Sequence, residues 1–327
     1  MSKNIPLTLA CGDYEIVRAL KEGTVTVDGV DLTMVTAMDS STRHWRFLRN
    51  GEFDAAELSG SGYLAARDRG LAVRAVPVFL HRRFRHGFAF INTGKGIAKP
   101  TDLIGRKVGV KSFMVTATLW LRGILEHEYG VPHRSIEWFA ELDDDVAFTP
   151  PKDLKLTRLA NDQSVEAMLA EGKLDALLHS DLIEGLGSDP RVGRLFPDYK
   201  AEEISYFRKT EIFPIMHVMA IRAEIAERHP WIPVNLYNAF NQSKTAAMKR
   251  MENPRIVPLA WYREAWEEQE EILGRDPWEY GLSPRNRKNL DTLVGYSHEQ
   301  GLISRTIALD ELFLETGQGF KRGGFRI

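Results

Sequence analysis

Lys99-Pro100-Thr101-Asp102-Leu103-Ile104-Gly105-Arg106-Lys107-Val108-Gly109-Val110 divides this chain into two blocks. A proline, a one-turn helix and a glycine stop lead into a short apolar run, which reads as the first buried strand of a new unit. Before it, Leu7 to Ala10, Val30 to Val35, Phe53 to Leu58, Val73 to Val78 and Phe88 to Asn92 read as strands. Tyr14 to Lys21 and Ser41 to Arg49 read as helices, and the turn Ser59-Gly60-Ser61-Gly62 opens a third through Ala66. After it the alternation resumes, with helices at Thr116 to Glu128 and Ser164 to Glu171 and strands at Ser135 to Phe139 and Ala176 to His179. Leu142 to Lys155 holds three consecutive aspartates and two prolines and reads as an exposed loop, while Asp181 is expected to cap a helix. Phe213 to Ile221 is apolar enough for a buried strand that returns the chain to the first block. Beyond Pro230 the pattern is helical, at Trp231 to Met251, Arg263 to Ile272 and Arg287 to Gln300. The expected architecture is α/β: residues 1–100 and 218–327 form lobe 1 with a helical tail, and residues 101–217 form an inserted lobe 2. Two such lobes bind small ligands in the cleft between them, at the carboxyl ends of their strands.

The composition agrees with this plan. The chain has 327 residues, 43% hydrophobic and 27% charged, which excludes a disordered or collagen-like polymer and suffices for two cores. Lys and Arg number 43 against 45 Asp and Glu, so no basic excess argues for nucleic acid. No apolar run approaches the roughly 20 residues that cross a bilayer. The start, Met1 to Ile5, leads straight into a strand, so no secretory segment and no membrane partner is expected. The single cysteine, Cys11, fits a reducing compartment. A cytoplasmic protein is the expectation.

Several clustered stretches carry a resemblance. They are Leu9-Ala10-Cys11-Gly12-Asp13-Tyr14, Glu57-Leu58-Ser59, Val76-Pro77-Val78-Phe79 with Phe84-Arg85-His86, and Ile124-Leu125 with Glu128-Tyr129-Gly130-Val131. Further on come Arg194-Leu195-Phe196-Pro197-Asp198, Ile212-Phe213-Pro214-Ile215-Met216-His217 and Tyr280-Gly281-Leu282. Over nearly the whole chain these resemble the 4,5-dihydroxyphthalate decarboxylase family. The dividing segment resembles the lobe boundary of the wider type II periplasmic-binding-protein-like group, which includes nitrate, taurine and thiamine-precursor proteins. The resemblance implies that two-lobed fold, a carboxy-lyase activity on a small aromatic acid, and no cofactor. Gly60 and Gly62 stand where bulkier residues are expected in that family, and Arg82 and Arg83 add charge beside the Phe-Arg-His.

Direct loss of CO2 from an aromatic acid would leave an unstable aryl carbanion. A hydroxyl para to the departing carboxylate opens another path: the ring carbon is protonated first, charge passes to that oxygen, and CO2 leaves afterwards. Such a site needs a proton donor, a partner for the hydroxyl and a grip on the remaining carboxylate, for which arginine is best suited. His81-Arg82-Arg83-Phe84-Arg85-His86 holds five ionisable groups in six residues. Arg85, with Arg83, is expected to clamp carboxylate and His86 to transfer the proton. His217 is the second acid/base candidate, although a buried histidine with one local hydrogen bond would read the same way. His179 and Asp181 end an apolar strand, where they either face the cleft or merely cap a helix. Ser59 and Ser61, and Lys111, Ser112 and Thr116, sit at strand-to-helix turns whose free N–H groups suit carboxylates. Arg43 lies on a helix that reads as a solvated basic face, from which it could still reach ligand.

No phosphate or dinucleotide motif is complete, and no His-Glu-x-x-His type metal motif occurs. Glu57, His86, His179 and His217 could meet around an ion only through the fold. Cys11 lacks an identifiable base partner. Trp261, Trp266 and Trp278 suit helix packing or self-association of unspecified number. Two further readings stand beside the decarboxylase: a solute-binding protein that captures an aromatic acid unchanged, and a sensor or thiamine-precursor-related protein.

Overall fold

The computed structural model describes residues 4–316, and the architecture follows from two mixed sheets. In chain order the elements of the first are β1 (Ile5–Ala10), α1 (Arg18–Lys21), β2 (Val30–Val35), α2 (Ser40–Asn50), β3 (Ala55–Ser59), α3 (Gly60–Asp68) and β4 (Val73–Val76). The chain then crosses to β5 (Ala89–Asn92), β6 (Lys107–Val110), α4 (Thr116–Tyr129), β7 (Glu137–Ala140), β8 (Leu156–Arg158), α5 (Val165–Ala170), β9 (Ala176–Leu178), β10 (Val192–Arg194) and α6 (Tyr199–Thr210). It returns with β11 (His217–Arg222) and finishes in α7 (Ala223–Arg228), α8 (Trp231–Met251), α9 (Tyr262–Leu273), α10 (Pro284–Glu299) and α11 (Leu309–Leu312). The first sheet runs β2-β1-β3-β11-β4 and the second β10-β5-β9-β6-β7-β8. In the first, β1 to β3 are parallel and β11 is antiparallel to both β3 and β4. Inner strands such as Ala55-Ala56-Glu57-Leu58 are buried on both faces, as helix-covered sheets require.

Four expectations are corrected. Ala89–Asn92 pairs with β9 and β10, so it belongs to the second sheet and the chain changes lobes before it, not at residue 100. Phe213 to Met216 is not strand: Pro214 supplies no N–H, and Ile215 instead bridges antiparallel to Arg82. No helix follows Asp181; its carboxylate accepts from the Ser180 hydroxyl. The strands β8 and β10 and the helix α6 occupy stretches the sequence reading left without an element. For α6 the overlooked signal is its cap, where the Asp198 carboxylate accepts the Ala201 N–H.

The two crossings lie side by side and form the hinge. Arg83 N–H donates to Pro214 O at 3.2 Å, and Met216 N–H to His81 O at 2.9 Å. Arg82 is buried beneath, donating to Asn286 Oδ1 and to Glu279 O, which ties the hinge to the tail. Helix α10 packs on α3 of one lobe and α4 of the other. At that contact Gly123 meets Tyr296, where a Cβ would sit 2.1 Å from the ring. Gly60 is less tightly held, since its Cβ would lie 2.9 Å from the end of the Leu293 side chain, which can move aside.

Candidate active site

A cleft of about 580 Å³ opens between the sheets at the hinge. Its walls are the carboxyl ends of β1, β3, β6 and β9, continued by Gly12, Ser59, Lys111-Ser112 and Ser180-Asp181. This is where strand carbonyls end and helix N-termini begin. Because β11 runs antiparallel, its first residue, His217, pairs with Ser59, the last of β3, and so reaches the same rim. Glu57 is opposite Met219 in that ladder and shares a face with His217 by the two-residue period.

The ladder creates a buried charged group at the cleft floor. His217 Nδ1 lies 2.6 Å from Glu57 Oε1, which also accepts from the Tyr14 hydroxyl at 2.9 Å. Glu57 Oε2 accepts the Gly12 N–H at 2.8 Å and has Arg43 Nη2 at 2.9 Å. The Arg43 contact is an ion pair without hydrogen-bond alignment at that nitrogen, while Arg43 Nε donates to Glu57 O. Burial alone would raise the Glu57 carboxyl, but the His217 ring and Arg43 overcome it and hold the group well below the usual carboxylate range. Glu57 is therefore a fixed anion. It sets the His217 ring and leaves Nε2 as the nitrogen able to serve the cleft.

Two more imidazoles flank His217. His81 stands edge-on to it with centroids 4.8 Å apart, and His44 with centroids 5.3 Å apart. Desolvation, the His217 charge and Arg85 drive His81 down to about 2, so it is neutral at any physiological pH. At the hinge end, Arg83 and Arg85 both line the cleft and both lie 5.3 Å from the Phe88 ring centroid. Arg85 is buried, donates to Ser180 O at 2.8 Å and touches Met216 Sδ. Neither arginine forms an ion pair among the described residues. Burial and the neighbouring Arg83 charge pull Arg85 down to about 9. Two adjacent cations, Arg83 exposed and Arg85 buried with only the longer-range pull of Asp181 and Glu203 on it, make a site for a multiply charged anion.

Of the residues expected at the site, His217, Arg85, Arg83, Arg43, Ser59, Lys111, Ser112, Thr116 and Asp181 line the cleft. His86 does not, which corrects the assignment of proton transfer to it. Its ring is enclosed by Phe196, Tyr206 and Tyr129, because it opens a 3-10 turn that packs against α6. Ser61 and His179 also lie outside. The Ser61 hydroxyl is spent on Met114 O and Thr116 Oγ1, joining the lobes, and His179 Nδ1 accepts the Asp181 N–H. Arg43 is not a solvated residue but a buried one, since α2 turns it under the sheet toward Glu57. Lys111 is paired with Glu141 at 2.5 Å, and Ser59 caps α3 by accepting the Gly62 N–H. Sequence reasoning did not select Glu57, Tyr14, His44 or His81 as site residues. The signal for Glu57 was a carboxylate inside an otherwise apolar strand.

Of Glu57, His86, His179 and His217, only Glu57 and His217 meet. No group of three or more His, Cys, Asp or Glu side chains among the described residues is arranged to hold a metal. Cys11 is buried and its thiol is pushed up by desolvation and the Glu57 charge, so it is no nucleophile.

The chain is 32% identical to a 4,5-dihydroxyphthalate decarboxylase of Comamonas testosteroni over 96% of its own length and 97% of the relative's. The chain belongs to the 4,5-dihydroxyphthalate decarboxylase family. A second family member, from Pseudomonas putida, is 30% identical over 62% of this chain and 81% of its own. Residues 16–137 match the NMT1/THI5-like family. Among solved structures, the sulfonate-binding protein SsuA of Methylobacillus flagellatus superposes with a TM-score of 0.56 at 14% identity, covering 95% of this chain and 92% of that one. The alkanesulfonate-binding SsuA of Xanthomonas axonopodis pv. citri gives 0.55 at 13%, covering 96% and 98%. These likenesses establish the type II periplasmic-binding-protein-like fold.

Proposed function

We propose that this chain is a carboxy-lyase that converts 4,5-dihydroxyphthalate to protocatechuate and CO2. The observation that carries the reading is the pairing, in one cleft, of two arginines that form no ion pair among the described residues with a histidine held by a buried carboxylate. Arg83 and Arg85 take the vicinal carboxylates of the dianion, with the helix-end groups of Ser112 and Thr116 nearby. Protonated His217 delivers its proton from Nε2 to the ring carbon bearing one carboxylate. That carbon becomes tetrahedral and the para oxygen becomes a carbonyl. The carbon–carboxylate bond then breaks, its electron pair restores the aromatic ring, and CO2 leaves. One proton is consumed per turnover. Oriented general acid catalysis of this kind contributes about 10²–10⁴-fold, and Glu57 stabilises the cation that supplies it.

Incubation with 4,5-dihydroxyphthalate should release CO2 and protocatechuate in equal amounts without added metal or cofactor. Tight binding of that acid with no product would instead support a solute-binding protein. The reading includes a cytoplasmic location, supported by a single buried cysteine. It also includes self-association, supported by the exposed Leu259 and Trp261 just before α9, and sedimentation velocity would test this.

A further inference from the structure

We infer that His44, faced by Asp145 from the opposite lobe, is the group that takes and returns the proton of the substrate's para hydroxyl. This rests on the decarboxylase reading and supplies the half of the reaction that His217 leaves open. His217 contacts both of the other imidazoles, His81 with centroids 4.8 Å apart and His44 with centroids 5.3 Å apart. The Arg83 and Arg85 charges act on His81, whereas Arg43 and Asp145 act on His44. His81 thus lies at the Arg83 and Arg85 end of the cleft and His44 beside Asp145, each in contact with His217.

His44 has the make-up of a base and His81 does not. His44 Nδ1 lies 3.6 Å from Asp145 Oδ2, while its buried Nε2 is bonded to no protein atom. An orphaned buried ring nitrogen is unfavourable, and a hydroxyl arriving at Nε2 would satisfy it. Desolvation, His217 and Arg43 keep the ring neutral, and Asp145 opposes them by favouring the cation. His81 Nδ1 is also without a protein partner, but no carboxylate lies within ion-pair distance of that ring and the Arg85 and Arg83 charges outweigh the pull of Glu57, so it is the weaker base. The position of Asp145 is itself built. Its loop is fastened to α2 by Arg49, which donates to the carbonyls of Asp144 and Asp145, and to the turn before α4 by Asp144, which accepts the Met114 N–H.

In the balanced step, the hydroxyl proton passes to His44 Nε2 and the oxygen pair forms the carbonyl. The ring pair takes the proton of His217. When CO2 leaves, the phenolate recovers its proton from His44. His44 needs Asp145 across the cleft, so the base is complete only when the lobes are together. A substrate without a hydroxyl para to a carboxylate should bind and not react.

The test is steady-state kinetics with 4,5-dihydroxyphthalate across pH, for the parent, His44→Asn and Asp145→Asn, with binding of unreactive phthalate measured alongside. His44→Asn should lose about 10²-fold or more in kcat while KM and phthalate affinity stay within about threefold. Asp145→Asn should lower kcat less and move the acidic limb of the kcat profile to lower pH, because the ring loses the carboxylate that favours its cation. The groups facing that ring are Asp145, His217 and Arg43, and none but Asp145 changes in this variant. A His44→Asn enzyme with kcat within threefold of the parent overturns the proposal. If His44→Asn fails to bind phthalate, the Asp145→Asn profile decides, and an unmoved acidic limb overturns it. Absence of turnover by the parent protein would reject the decarboxylase reading itself.

Discussion

Glu57 is the residue on which the cleft's electrostatics turn. It is a fully buried carboxylate that serves a histidine, an arginine, a tyrosine and a backbone N–H at once. Breaking a buried pair by removing one partner costs about 3–5 kcal/mol, so Glu57→Gln should unfold at markedly lower denaturant than the parent. The same carboxylate gives a pH signature. Its folded value is depressed below the ordinary 4.5, so its stabilisation is complete above that value and is lost as pH falls through and below it. Stability of the parent measured from pH 6 to pH 3 should fall more steeply than that of Glu57→Gln; parallel curves would contradict the assignment. Arg85 acts on a different quantity. Losing its charged hydrogen bonds, worth about 1.5–3 kcal/mol, should raise KM by about 10- to 100-fold in Arg85→Ala with kcat changed far less. His217→Ala should do the reverse.

Among the elements, α6 gives the least expected consequence. It was not read from the sequence, yet its Glu203 reaches beneath the turn that follows Arg85 and accepts the Gly87 N–H at 3.2 Å. Burial raises the Glu203 carboxyl to about 7, against the backbone N–H groups that favour its charge. A raised carboxyl binds its proton better in the folded state, so its contribution to stability declines as pH rises from about 4.5 through 7. Glu203→Gln should flatten that part of the stability profile, as chemical denaturation at pH 5 and pH 8 would show. A difference between those pH values as large as the parent's would remove Glu203 as its source. Strands β1, β2, β3 and β6 and helices α2, α4, α5 and α8 were legible because their apolar periods are long or their stops are glycines and caps. Strands β8 and β10, of three residues each, carry no period to read.

Across the whole molecule, the cleft is closed by groups from both lobes and has an excess of unpaired cation at the hinge. A dianion that bridges it should stabilise the folded chain by mass action, about 2.7 kcal/mol at one hundred times its dissociation constant. Phthalate should therefore raise the melting temperature and benzoate should do so less. Equal shifts would show that the second carboxylate finds no partner. The screening of exposed charge by salt should affect this little, because Arg85 is buried.

The two-lobed α/β plan, the family, and the placing of His217, Arg83 and Arg85 in the cleft were written in local patterns: strand and helix periods, the lobe-boundary segment, and clusters of residues close in sequence. The tertiary structure alone decided where the lobes divide, that β5 joins the second sheet, and that His86 turns inward. It also assembled Glu57, His44, His81 and Asp145 around His217 from segments up to 173 residues apart. A side chain's direction depends on strand order and register, and its charge on what burial and distant partners do to it. Neither has a signature in the residues beside it.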